Sequence, residues 1–190
     1  MKSHKNGAMA LSKARRALSP LNEGKLSELA LSYVGRFATT RAKLQTYLRR
    51  KVRERGWEGE RQPDFEAIAQ RFAERGFVDD AGYALAKSRA LTGRGYGKRR
   101  VVQALRVAGI EEGDGVAARE LADAEAVSAA LRFAEKRRLG PFSAHGGNHP
   151  HEREKALAAM LRAGHGFDLS RAILAIRPGE PIELDDLSAR

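Results

Sequence analysis

An all-α chain is what this sequence predicts, drawn out as an elongated, curved array of three tandem three-helix repeats. Three observations lead there. Apolar residues recur at three- and four-residue steps along nearly the whole chain, the period of a helix with one buried face. Aromatic residues are only 6% of the chain, and with Val and Ile also sparse the residues that usually fill sheets are missing. A short signature also recurs. Ala30-Leu31, Ala84-Leu85 and Ala130-Leu131 each lie in one helical stretch, followed past a turn by a second with a key leucine, Leu48, Leu105 or Leu161. Units of roughly 45–55 residues, each too small to bury its own apolar face, must stack on their neighbours.

Taken in order, Leu26, Leu29, Tyr33 and Phe37 share one helical face. Thr39 or Thr40 can cap the next helix, which carries Leu44, Tyr47, Leu48 and Val52. Residues 53–63 are polar, with two glycines and a proline, and read as a connector. Asp64 caps a short helix with Phe65, Ile68 and Phe72. Gly76 ends it in the left-handed conformation that glycine takes without steric cost, and Phe77 is the apolar contact that follows such an end. Asp79 or Asp80 caps a helix with Tyr83, Ala84 and Leu91 inward, and residues 92–97 turn. The next helix carries Val101, Val102 and Leu105 and stops at Gly109. Val116 and Leu121 mark another, and Val127, Ala130, Leu131 and Ala134 a longer one halted by Gly140-Pro141. After a loop come Leu157, Met160 and Leu161, with Gly164 as the stop. Asp168 or Ser170 then caps a last helix with Ile173, Leu174 and Ile176, halted before Pro178.

This divides the chain into a disordered basic arm (1–20), three repeats (21–62, 63–111 and 112–177, the last with an insertion at 140–151) and a flexible acidic tail (178–190). Charged residues are 31% and hydrophobic residues 42%, a balance that allows a core but a thin one. The formal net charge of +11 favours a polyanionic partner: DNA, RNA, an anionic membrane or an acidic protein surface. Most of that charge lies early. Residues 11–61 hold thirteen Lys or Arg against five Asp or Glu, and residues 81–110 hold seven against none. The absence of cysteine excludes disulfides and thiolate metal sites and fits a reducing cytosol. No apolar run reaches the roughly 18 residues of a membrane span, and the basic N-terminus lacks a signal peptide's apolar stretch, so a cytoplasmic protein is expected.

The run 72–84 carries more specific information. Gly76, Phe77, Val78, Asp79, Asp80, Tyr83 and Ala84 match, position by position, the second-repeat motif of the RecX family, which this chain resembles. Gly95-Tyr96-Gly97-Lys98-Arg99-Arg100-Val101, with Leu105 and Gly109-Ile110, is similar to that family's glycine-basic-aliphatic segment and its closing Leu…Gly-Ile. Residues 30–48 and 161–173 resemble its first and third repeats, and the likeness spans about 26–176. The first repeat departs from the pattern by a long run over 49–56, and the third by the insertion at 141–151. The resemblance implies a three-repeat helical regulator of the RecA recombinase, acting in recombination, DNA repair and the SOS response. It implies binding in the groove of the RecA–single-stranded DNA filament, with suppression of filament growth, ATP hydrolysis and strand exchange.

The densest basic cluster is Arg94, Lys98, Arg99 and Arg100, and the next is Arg49, Arg50 and Lys51, with Arg41 and Lys43 earlier on the same helix. These nine are the expected contacts to partner or to single- or double-stranded DNA, by charge on phosphate or acidic protein. Trp57 and Tyr96, in polar connectors, are candidates for stacking on bases. Tyr33, Phe37, Phe72, Phe77 and Tyr83 are expected in the core. Asp79 and Asp80 read as a cap and a first-turn charge rather than as a catalytic pair. Gly93 to Lys98 lacks the spacing of a phosphate loop, and His145, His149 and His151 read as a polar insertion rather than a metal site. No nucleophile, base and orienting partner are arranged for catalysis, so no enzyme, cofactor or metal is expected, and the protein is expected to be monomeric. The competing reading is a nucleic-acid-binding helical module of helix-turn-helix type that needs no recombinase. A basic RNA- or ribosome-associated helical protein is a third.

Overall fold

In the computed structural model, residues 19–144 and 150–188 are described, and these form ten α-helices. They are α1 (Glu23–Val34), α2 (Arg41–Arg55), α3 (Phe65–Glu74), α4 (Asp80–Thr92), α5 (Lys98–Val107), α6 (Val116–Ala124), α7 (Ala126–Arg137), α8 (Pro150–Ala163), α9 (Phe167–Ala175) and α10 (Leu184–Ser188). No strand occurs among the described residues, only a single bridge between Leu21 and Trp57.

Side chains set the starts of the first four helices. Asn22, Thr40, Asp64 and Asp79 each accept a hydrogen bond from the backbone N–H three residues on, which satisfies one of the donors a helix leaves unpaired. Thr40 rather than Thr39, and Asp79 rather than Asp80, are therefore the caps. Gly76 adopts φ +75°, the Phe77 N–H returns to the Phe72 carbonyl at 2.9 Å, and the two rings meet at 5.7 Å. The last long helix begins differently from expectation. Gly166 stands at the start of α9, Asp168 lies in its first turn, and the Ser170 hydroxyl donates back to the Gly166 carbonyl at 2.6 Å.

The apolar faces gather into three separate cores. The first joins Leu26 and Ala30 of α1, Leu44 and Leu48 of α2, Ile68 and Ala69 of α3, and Leu21 and Val78 beside them. The second joins Ala84 of α4, Val101 and Leu105 of α5, and Ala118 and Ala122 of α6. The third holds Ala130, Phe133 and Ala134 of α7, Met160 and Ala163 of α8, Leu169 and Ile173 of α9, and Leu187 of α10. The cores thus group helices α1–α3, α4–α6 and α7–α10. The boundaries expected at 62/63 and 111/112 fall one helix early, because Ile68 and Ala118 point back to the helices that precede them.

Three further expectations change. Residues 178–190 were expected as a flexible tail, but Leu187 of α10 is 5% exposed and sits in the third core, with Ile182 packed beside it. The insertion is shorter than 140–151: Gly140–Phe142 is a 3-10 turn whose Phe142 packs on the third core, and α8 starts at Pro150. Phe37 and Phe77 are 56% and 50% exposed, so the chain ends of their turns do not return them to the core. Tyr33, Phe72 and Tyr83 are half-buried. The arm expected over 1–20 lies almost wholly outside the described residues.

Candidate basic interface

The second helices of the three cores follow one another end to start. At the first seam, Thr40 at the start of α2 donates its hydroxyl to the Ala108 carbonyl at the end of α5, at 2.7 Å. The backbones meet closely enough that a Cβ on Gly109 would lie 2.3 Å from that of Ala42. At the second seam, the Gly97 and Arg99 N–H groups at the start of α5 donate to the Ala163 and Gly164 carbonyls at the end of α8, at 3.0 and 3.1 Å. A Cβ on Gly97 would lie 2.4 Å from the Gly164 oxygen, and one on Gly164 2.5 Å from the Arg100 nitrogen. Gly95 and Gly97 of the 92–97 turn are thus required by close backbone approach, with Gly95 (φ +85°) set against the backbone of α7 at Phe133.

His165 locks the second seam. It is 2% exposed, its Nε2–H donates to the Gly95 carbonyl at 3.0 Å, and its ring lies 5.5 Å from that of Phe133. Burial pushes its pKa below the usual imidazole value, against the opposing pull of the Gly95 carbonyl, so the ring is neutral at physiological pH. Arg132 adds a bond to the Thr92 carbonyl at 2.8 Å.

The nine expected basic residues occupy these helices and seams, but their environments differ. Arg41 is committed within the molecule. Its N–H and Nε reach the two oxygens of Asp80 at 2.9 and 3.1 Å, and its terminal nitrogens reach Asp114 at 2.6 Å and Gln70 at 3.3 Å. The hydrogen bond to Asp80, more than any other influence, raises its pKa further. Asp80, buried at the start of α4, is therefore a joint between the first and second cores and not only a first-turn charge. Lys43 lies over the Tyr83 ring and bonds its hydroxyl. Lys98 pairs with Asp123 at 2.7 Å, and Lys51 with Glu54 at 2.7 Å. The Lys51 hydrogen bond holds the Glu54 carboxyl below its usual range.

The other cations stay open. Arg94 and Arg99 are exposed with no side-chain partner among the described residues. Among the described residues, the Arg100 side chain reaches only Gln103, at 3.3 Å, and the Tyr96 ring. Arg49 reaches Gln45 and lies against Phe65, while Arg50 is loosely paired with Glu54 at 3.7 Å. Because the carbonyl end of α8 already fills the start of α5, this cluster offers side-chain charge rather than a backbone anion nest. Sequence reasoning missed Arg53 and Arg106, which share the exposed stripes of α2 and α5 with Arg49 and Arg99. The signal was present as a four- and seven-residue spacing from those arginines.

Trp57 and Tyr96 are half-buried against the first and third cores. The Trp57 indole N–H donates to the Arg61 carbonyl at 2.8 Å. His145 and His149 lie outside the described residues, and His151 is exposed in the first turn of α8. Among the described residues no group of three or more His, Cys, Asp or Glu is placed to hold a metal ion. None of the described helices is long and apolar enough to cross a membrane.

Comparison with known proteins bears on this arrangement. No family model matches the chain. The regulatory protein RecX of Myxococcus xanthus (strain DK1622) is 33% identical over 162 residues, which cover 80% of this chain and 86% of that protein. The crystal structure of RecX from Lactobacillus salivarius aligns with a TM-score of 0.58 at 17% identity, over 88% of this chain and 97% of that one. A second crystal structure, of a regulatory protein RecX, aligns with a TM-score of 0.55 at 21% identity, over 79% and 70%. The two structures support the all-helical fold, and the sequence identity and its coverage carry the assignment: the chain belongs to the RecX family of regulatory proteins.

Proposed function

We propose that this protein binds the filament that the RecA recombinase forms on single-stranded DNA and lowers its ATP hydrolysis and strand exchange. It acts in the cytoplasm, as a monomer and by binding rather than catalysis. The observation that carries this reading is the open arginine surface of α2 and α5, within a chain of a regulatory family. Arg94, Arg99, Arg100, Arg49, Arg53 and Arg106 present charge that the fold does not neutralise fully, and phosphates or acidic protein are the groups that answer it. The end-to-start seams of α2 on α5 and of α5 on α8 support this reading, since units joined in series suit a long groove better than a compact globule does.

The test is single-stranded-DNA-dependent ATP hydrolysis by the cognate recombinase with this protein titrated in. The reading expects the rate to fall well below one copy per recombinase monomer. An effect that appears only once the free DNA is saturated would instead favour a nucleic-acid-binding module that competes for DNA.

A further inference from the structure

A groove of about 480 Å³, with no arginine in its lining, opens where the first core meets the second. Its walls are the loop before α2, at Ala38 and Thr39, and the turn after α3, at Gly76 and Phe77. Its floor is one face of α4, where Gly82, Ala86 and Ala90 keep the side chains small. Two phenylalanines that a folded chain would ordinarily bury stand half-exposed here: Phe77 lines the groove, and Phe37 precedes its wall residue Ala38. Thr39 also lines it, and its hydroxyl oxygen is shielded from solvent without a hydrogen-bond partner. Unpaired buried hydroxyls are costly and rare.

The charge at the groove is specific. Lys87 lines it with no partner among the described residues, and Lys43 stands at its Tyr83 end. The one carboxylate in the lining, Asp79, already accepts the Gly82 N–H at 2.8 Å. Two cations beside an apolar trough match an apolar side chain with a carboxylate close by. A nucleobase fits less well: it needs several edge hydrogen bonds, which the mostly apolar and small side chains of this lining do not offer. A second copy of the chain fits less well too, since each copy carries the same +11 charge.

We propose that this groove docks a protein partner by an apolar side chain flanked in sequence by a carboxylate. The side chain rests on α4 between Phe77 and Tyr83, the carboxylate meets Lys87, and a peptide group satisfies the Thr39 hydroxyl as that hydroxyl turns outward. The proposal rests on the filament-binding reading, with the recombinase as the partner that supplies the segment. It gives the protein a second contact, to protein rather than to nucleic acid, whose lining includes none of the open arginines.

The test uses the full chain with Ala86→Glu, which fills the trough and sets a carboxylate against the incoming one, and with Lys87→Glu. Ala86 is exposed on its helix, and circular dichroism melts check that both variants stay folded. The probes are the recombinase filament on single-stranded DNA, read by ATP hydrolysis, and a fluorescent oligothymidylate alone, read by anisotropy. Each variant is expected to need at least about tenfold more protein for half-inhibition, with oligothymidylate binding within about twofold of wild type. Wild-type inhibition beside equal inhibition by both variants overturns the groove alone. Parallel loss of oligothymidylate binding overturns the protein partner in favour of nucleic acid. Self-association of the wild type that Ala86→Glu abolishes, seen by sedimentation, overturns it in favour of a second copy. A wild type without effect on ATP hydrolysis overturns the filament reading, and the docking proposal with it.

Discussion

Arg41 and Arg99 stand near the starts of successive second helices and carry the same charge, yet their surroundings give them opposite work. Arg41 faces Asp80 and Asp114, and its charge is used to join two cores. Arg99 faces solvent. Replacing Asp80 with Ala leaves the guanidinium without its main partner and the Arg41 N–H uncapped. Urea unfolding should then show a loss of about 2–3 kcal/mol, whereas Arg99→Ala should leave stability within about 0.5 kcal/mol. Changing Arg94, Lys98, Arg99 and Arg100 together to Ala should preserve helicity by circular dichroism and weaken filament inhibition, and full inhibition by that variant would remove the cluster from the interface. His165 adds a pH dependence. Its folded pKa lies below its unfolded one, so the unfolded chain takes up the proton first as pH falls. The stability it confers is complete above about pH 6.5 and is lost as pH drops through the depressed folded value. Thermal melts compared at about pH 7 and about pH 5 should therefore separate more for wild type than for His165→Gln.

Among the elements, what was legible in the sequence was whatever local chemistry decides. Asp64, Gly76 and Gly109 punctuate helices through bonds made within a few residues, so their spacing could be read directly. What was not legible depends on residues far apart in sequence. Nothing near Asp80 announces that Arg41 will meet it, and nothing near Leu187 announces the third core that covers it. Helices α3 and α6 look like openings of new units because each follows a polar connector. Only the direction of their buried residues, Ile68 and Ala118, ties them to the helices before. Of the candidate site, the cluster positions could be read from composition, but which cations stay open was decided by acids brought in from other helices, such as Asp123 beside Lys98. The glycines test this division. Gly76 and Gly164 both have positive φ, but a Cβ on Gly76 meets nothing within 4 Å while one on Gly164 lies 2.5 Å from the Arg100 nitrogen. Gly76→Ala should cost about 1 kcal/mol, the backbone penalty alone. Gly164→Ala should cost about 1–3 kcal/mol more, and equal losses in denaturant unfolding would mean that the α5–α8 seam is not closely held.

For the whole molecule, three small cores are joined end to start, and the open arginines lie along α2 and α5 rather than in one pocket. If about six of the open arginines meet phosphates on single-stranded DNA, the logarithm of affinity should fall with the logarithm of salt concentration with a slope of about −4. A sequence-reading helix-turn-helix module would add a marked preference for one duplex sequence, which distributed charge does not supply. The measurement that tests the account most directly is the growth of recombinase filaments on single-stranded DNA, followed filament by filament, with this protein present well below one copy per recombinase monomer. The account predicts that growth slows or stops at such ratios and recovers with the arginine-cluster variant. Filaments that grow at the unperturbed rate, while the protein coats only naked DNA, would contradict it.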